Sequence, residues 1–259
     1  MNGKSSLIKL SNGVQMPALS LGVLRSAKKE TAAAVETAIN ADYRLIDTAS
    51  VYLNEPEAGE GIRRSGISRS DIFVTTKLWL THYGYESALR AFDSSLKKLG
   101  LDYLDLYLAH WPVPAAFDAT IDSYRAAEKL LAERRVRAIG VCNFSSQHLQ
   151  NLMERTQARP AVNQIELHPS FSQRELREAD ARLGITTQSW SPIGGSIRRG
   201  GDAAKDPLHH PTILQLGAKY SKTPVQIVLR WHIDHRLSAI PSPFDGNVLR
   251  KTSTFSISQ

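Results

Sequence analysis

Asp47 in RLIDTA, Tyr52 shortly after it, Lys77 in FVTTKL and His110 in LDLYLAH each stand at or just past the end of a short apolar β-rich run. Together they are a carboxylate, a phenol, an ammonium and an imidazole. A phenol beside an ammonium can give a proton to a carbonyl oxygen and take it back in the reverse reaction. The ammonium favours phenolate, so it is expected to lower a phenol pKa that starts near about 10. Burying Lys77 in a strand costs roughly several kcal/mol unless it is paired, and Asp47 is its natural partner. His110, followed by Trp111-Pro112, could hydrogen-bond the same substrate oxygen and orient it. Taken singly, each residue also reads as structural, Lys77 and Asp47 as a satisfied core ion pair. A lone strand lysine also suits Schiff-base chemistry, a different enzyme class.

These groups meet only if the strand ends converge. The opening LIKLSNGVQMPALSLG reads as a hairpin with Asn12-Gly13 as its turn signal. Strand candidates then follow as ALSLG, RLIDTA, IFVTTKL, YLDLYLAH, VRAIGVCNF, AVNQIELH, ITTQSW and LSAIP. Helical patterns lie between them. Leu89, Phe92, Leu96 and Leu99 recur at helical spacing over Tyr85 to Leu99. Asp118 to Glu133 is a second candidate, and Thr223 to Asp234, with Pro224 in its first turn, a third. Alternating strand and helix implies parallel strands with right-handed crossovers. Eight such units fit a (β/α)8 TIM barrel, α/β in class, whose active sites form at the carboxyl ends of the strands.

Composition narrows the function classes. A chain of 259 residues suits one large α/β domain. The single cysteine, Cys142, excludes an intramolecular disulfide and fits a reducing compartment. The opening MNGKSSLIKL has no secretory h-region, and no run approaches a membrane span of roughly 18 apolar residues. A cytoplasmic monomer is expected. The charge of +7 reads as a lysine- and arginine-rich solvated surface, or as a field attracting a polyanionic ligand. With no basic run and no reader motif, nucleic acid is not an expected partner. Nor is metal: His209-His210 splay apart, and His232 and His235 lack a third ligand. There is no GxGxxG, because Gly59-Glu60-Gly61 lies inside a helical pattern.

The strings DTASVYLNE, TKLW, HWP, GVCNF, NQIELHP and SWSPIG closely resemble the aldo-keto reductases, from the hairpin to about Pro241. The Trp in SWSPIG is similar to the microbial branch, which includes 2,5-diketo-D-gluconate reductase-like enzymes. The resemblance implies a barrel that reduces aldehydes and ketones with NADPH bound in an extended pose. By position, Asp47, Tyr52, Lys77 and His110 match the catalytic tetrad, with Tyr52 the general acid. Gly22, Val23, Asp47, Asn143, Gln164, Trp190, Ser191, Ile193 and Gly195 match cofactor-binding positions. Among these, Asn143 and Gln164 would hold the nicotinamide carboxamide and Trp190 would stack on its ring. Trp79 and Trp111, with His110, match the substrate pocket, although from the residues alone both tryptophans read as ordinary core. The resemblance leaves open a non-catalytic nicotinamide-binding barrel. A small-molecule carbonyl is the expected substrate.

Two departures stand out. Cys142 replaces the serine usual in GVCNF, reading first as a small buried residue and second as a weaker donor to the carboxamide. The tail IPSPFDGNVLRKTSTFSISQ departs further from a family pattern like IPKSV…ERIAENFDVF. GAA CGT ATT GCG GAA AAC TTC GAC GTT TTC encodes ERIAENFDVF; read one base later it yields NVLRKTSTF and a following Ser, matching Asn247 through Ser256. The reading is therefore a family barrel over 1–241 and a frameshifted, poorly ordered tail over 242–259 that lacks the eighth helix. Sequencing the encoding DNA tests it. Arg250-Lys251 then read as solvated charges, and Arg198-Arg199 as a partial substitute for the missing phosphate contacts. The Gly-rich stretch from Ser191 to Pro211 reads as a long loop after the seventh strand, of a length that is usually functional or disordered.

Overall fold

The computed structural model describes residues 6–194 and 206–242. The chain opens with a hairpin of β1 (Leu7–Lys9) and β2 (Gln15–Pro17), paired antiparallel with Ile8 opposite Met16. Its turn has Gly13 at φ 87°, a left-handed conformation suited to glycine. Asn12 Oδ1 accepts the Val14 N–H at 3.3 Å.

Eight parallel strands follow: β3 (Leu21–Gly22), β4 (Leu45–Asp47), β5 (Phe73–Leu78), β6 (Leu104–Ala109), β7 (Val136–Cys142), β8 (Val162–Glu166), β9 (Thr186–Trp190) and β10 (Ser238–Ile240). They lie in sequence order, β3 to β10, in one sheet. The lead-in to β3 closes that sheet on β10. Ala239 N–H donates to Ala18 O at 2.8 Å, Ser20 N–H to Ala239 O at 3.0 Å, and Gly22 N–H to Pro241 O at 3.0 Å. Gly22 is required there, because a Cβ would lie 2.6 Å from Ile240 Cγ2.

The helices α1 (Lys28–Asn40), α2 (Glu55–Arg64), α3 (Tyr85–Leu99), α4 (Phe117–Ala132), α5 (Ser146–Arg155) and α6 (Arg174–Arg182) each connect successive strands. Two more, α7 (Pro211–Tyr220) and α8 (Pro224–Asp234), lie between β9 and β10. The periodic residues of α3 face inward: Phe92 and Leu99 are fully buried, and Gly100 at φ 66° ends the helix. Burying Phe92 contributes about 1.5–3 kcal/mol relative to exposing it. At α8, Thr223 at the cap and Gln226 in the first turn form a capping box that brackets Pro224. Gly59 sits in α2 because the helix meets α3 closely; a Cβ there would lie 2.0 Å from Leu99 O.

The strands separate two cores. One lies between sheet and helices and includes Ile46, Val74, Tyr107, Ile139 and Phe92. The other fills the barrel, where Leu45, Phe73, Leu106, Leu108, Ala138 and Val162 pack with Leu10 and Met16 of the hairpin. The hairpin thus plugs the amino-terminal mouth. Since successive side chains alternate faces, each inward stripe can be followed to the opposite mouth. Leu45 leads to Asp47, Phe73 to Lys77, Leu106 and Leu108 to His110, Ala138 to Cys142, and Val162 to Gln164. The expected barrel and its strand ends are as the sequence indicates. The expected absence of the helix that would follow β10, and the tail beyond Ser242, lie outside the described residues.

Candidate active site

The polar ends of those stripes form the floor of a cavity of about 730 Å³. Asp47 ends β4, and Tyr52 ends the 3-10 turn Ser50–Tyr52 that follows it. Lys77 lies within β5, and His110 directly follows β6. Asp47, Tyr52 and His110 line the cavity with Gly22, Trp79, Trp111, Cys142, Asn143, Gln164, Trp190 and Ser191. Lys77 is wholly buried beneath them. Val23 and Ile193 are also fully buried and do not line the cavity, so their side chains face the packing. Gly195 lies outside the described residues, as do Arg198-Arg199 and the middle of the long loop. Leu24, Arg25, Val51, Ile240 and Ser242 also line the cavity. Their positions just past strand ends were the available signal, but no chemistry-bearing pattern singled them out.

The Lys77 ammonium donates to Asp47 Oδ1 at 2.5 Å, to Thr48 O at 3.0 Å and to Tyr52 Oη at 3.5 Å. Burial penalises the ammonium, but the Asp47 carboxylate, with Tyr52 and Cys142, holds its pKa above the ordinary lysine value. The expected lowering of the Tyr52 pKa is corrected. Desolvation is the largest influence and raises it; Lys77 pulls it down and Asp47 pushes it up, for a net rise. The phenol therefore keeps its proton at neutral pH. Burial, then the Lys77 charge, pushes His110 down to about 3, so its imidazole is neutral. Its ring packs edge-on against Trp79, centroids 5.1 Å apart, and against Tyr52 at 5.9 Å.

The turn carrying Tyr52 is clasped at both ends. Thr48 Oγ1 donates to Asn54 Oδ1 at 3.0 Å, and Asn54 Nδ2 donates to Val23 O at 2.8 Å. Ser50 Oγ donates to Lys77 O at 2.9 Å. Leu53, at φ 58°, reverses the chain between Tyr52 and Asn54.

A second network crosses the barrel. Gln164 Nε2 donates to Asp47 Oδ2 at 2.9 Å and to Gln188 Oε1 at 2.8 Å, while Gln188 Nε2 donates to Ser238 Oγ at 3.0 Å. Asn143 Nδ2 donates to His110 O at 3.0 Å, and Trp190 Nε1 donates to Asn143 Oδ1 at 2.9 Å. The indole at the cavity wall is thus held in one orientation. Among the described residues, Gln164 Oε1 receives only a long contact from Cys142 Sγ at 3.7 Å, which leaves acceptor capacity for another N–H. Burial pushes the Cys142 thiol well up, so it stays protonated. An acid, a neutral imidazole and a fixed aromatic face around one apolar cavity suit proton delivery to a polarised oxygen.

The model of the Aldo/keto reductase family matches residues 16–254. A protein of Pseudomonas putida named morphine 6-dehydrogenase is 54% identical over 255 residues, covering 97% of this chain and 86% of its own length. A methylglyoxal reductase of Salmonella typhimurium is 44% identical over 236 residues, covering 91% of this chain and 82% of its own length. The crystal structure of a Bombyx mori aldo-keto reductase in complex with NADP superposes with a TM-score of 0.90 at 33% identity. That match covers 99% of this chain and 89% of the other.

Proposed function

The chain belongs to the aldo/keto reductase family, and from that premise we propose that it is an NADP-dependent oxidoreductase reducing aldehydes and ketones to alcohols, with Tyr52 as proton donor. The observation that carries this reading is the Tyr52 hydroxyl 3.5 Å from the buried Lys77 ammonium at the floor of the cavity. The cavity suits a nicotinamide. Trp190 offers a ring face fixed by Asn143, and Gln164 Oε1 retains room for a carboxamide N–H. Gly22 lines the same cavity. When bound, NADPH supplies the hydride that reaches the carbonyl carbon.

The chain's own residues handle the oxygen. His110, uncharged, is placed to hydrogen-bond the substrate oxygen and orient it. Tyr52 delivers its proton as negative charge develops there. The adjacent Lys77 stabilises the phenolate that remains, and Asp47 keeps Lys77 charged and in place. Trp79 and Trp111 form an apolar wall for the rest of the substrate.

Schiff-base chemistry is less well supported. It needs a neutral amine open to substrate, whereas Lys77 is sealed beneath the cavity and held protonated by Asp47. The experiment is an NADPH titration by fluorescence, then a panel running from a small dicarbonyl to a ring ketone. Wild type should oxidise NADPH with some of these carbonyls. Tyr52→Phe should lower turnover by about 10²–10⁴ while leaving NADPH affinity within about threefold. Binding without any carbonyl-dependent oxidation would favour the non-catalytic reading. Borohydride trapping of substrate on Lys77 would favour the lyase.

A further inference from the structure

Two tryptophans face the cavity from different loops, and one residue outside the proton-donor machinery ties those loops together. Trp79 opens a short loop that contains the 3-10 turn Leu80–His82. The loop is stiffened from within: His82 N–H donates to Trp79 O at 3.0 Å and Tyr83 N–H to Leu80 O at 3.1 Å. It is then moored to α4, where Gly84 N–H donates to Ser123 Oγ at 2.8 Å. From this fixed position the Tyr83 phenol reaches the next loop. Its O–H donates to Trp111 O at 2.6 Å and its oxygen accepts the Trp111 N–H at 3.4 Å.

Trp111 depends on that contact. It is followed by Pro112, which has no N–H, and its side chain is 42% exposed. Among the described residues, no other group hydrogen-bonds the Trp111 backbone. Trp79 needs no such tether, because its ring packs edge-on against His110.

We propose that Tyr83 is a specificity-determining residue. By holding the Trp111 backbone to the loop that begins at Trp79, it fixes the gap between the two indoles beside His110. A substrate with a flat ring system fills that gap and gains apolar contact on both sides. A small aliphatic aldehyde offers little apolar surface to either wall, so its reaction is indifferent to the spacing. The selected class is therefore ring-bearing ketones and aldehydes. This proposal rests on the carbonyl-reductase reading of the same cavity.

The test compares wild type with Tyr83→Phe, which removes one hydroxyl and keeps the ring, using propanal and a two-ring aromatic ketone with NADPH. Losing a hydrogen bond of ordinary net strength should raise KM for the ketone about fivefold. The kcat for the ketone and both constants for propanal should stay within about twofold. As an independent readout, acrylamide quenching of Trp111 emission, taken as the difference from Trp111→Phe in each background, should increase in Tyr83→Phe. Equal losses for both substrates, or no change in either substrate and no change in quenching, would overturn the proposal. So would an active wild type that leaves the ring ketone unreduced. A wild type inert toward both carbonyls would instead overturn the reductase reading, and the selectivity claim with it.

Discussion

Asp47 Oδ1 lies 2.5 Å from Lys77 Nζ, and both are buried at the floor of the cavity, Lys77 completely. A buried charge that keeps its partner is tolerable, and one that loses it is not. Asp47→Asn should therefore destabilise the fold by about 3–5 kcal/mol, the usual cost of stranding a buried ion. The double variant Asp47→Asn with Lys77→Met removes the stranded charge, so it should recover part of that loss. Urea unfolding at neutral pH measures both. Because the folded pKa of Lys77 is raised, the pair's contribution is present below the unfolded value of about 10.4 and is lost only as pH climbs through the folded one. An Asp47→Asn variant as stable as wild type would refute this account.

Asn54 is a positioning residue for the turn that carries Tyr52. It is buried, and its amide group ties Thr48, which accepts from Lys77 through its carbonyl, to Val23 at the end of β3. Asn54→Ala leaves the buried Thr48 hydroxyl without its acceptor, while the Val23 carbonyl loses one of two donors and keeps the Ser26 N–H at 3.1 Å. Each buried unsatisfied group costs about 1–3 kcal/mol. The turnover number should also fall, by about tenfold or more, because small misplacement of a reacting group is costly. NADPH affinity should change little. A fall in thermal stability with an unchanged kcat would mean that Asn54 holds the fold but not Tyr52.

How far the sequence reaches can be judged from these same residues. Asp47, Lys77 and His110 were legible because each stands at or near the end of an apolar β-run, where a strand's period of two aims the polar group at the barrel mouth; Gln164 was reached only through the family resemblance. Gln188 follows the same parity, yet nothing in ITTQSW says that its amide would join Gln164 to Ser238. The sign of the Tyr52 shift was not legible either. Lys77 was visible as a neighbour, but desolvation depends on how many other elements close over the phenol. Helix α2 was legible as the helical pattern around Gly59-Glu60-Gly61, but not the reason for its glycines, which let α3 and α1 approach it. Tyr83 escaped notice because its partner is a backbone on another loop, and backbone partners leave no trace in side-chain patterns.

Four buried titrating groups shape how the fold responds to acid: His232, His110 and Asp180, with His168, which burial also pushes down. His232 is fully buried, with Nδ1 2.9 Å from Val228 O and Nε2 3.2 Å from Ser189 Oγ, and burial pushes its pKa down to about 4. His110 is likewise pushed down to about 3. For both, the unfolded chain binds a proton near about pH 6.5 that the folded chain refuses, so stability is present above that value and is lost as pH falls. For His232 the loss amounts to about 3 kcal/mol by pH 4. Asp180 works in the opposite sense. Burial lifts its pKa to about 6, against the hydrogen bonds from Thr187 at 2.7 Å and Asn163 at 3.2 Å. The folded chain therefore takes up that proton first, and stability rises as pH falls through about 6. Wild type should lose stability between about pH 7 and about pH 4.5, because three buried histidines oppose one aspartate. His232→Gln should blunt the loss, and Asp180→Asn, which removes the offset, should steepen it. Urea midpoints across that range decide the matter, and an Asp180→Asn variant with a shallower acid loss than wild type would show the assigned sign to be wrong.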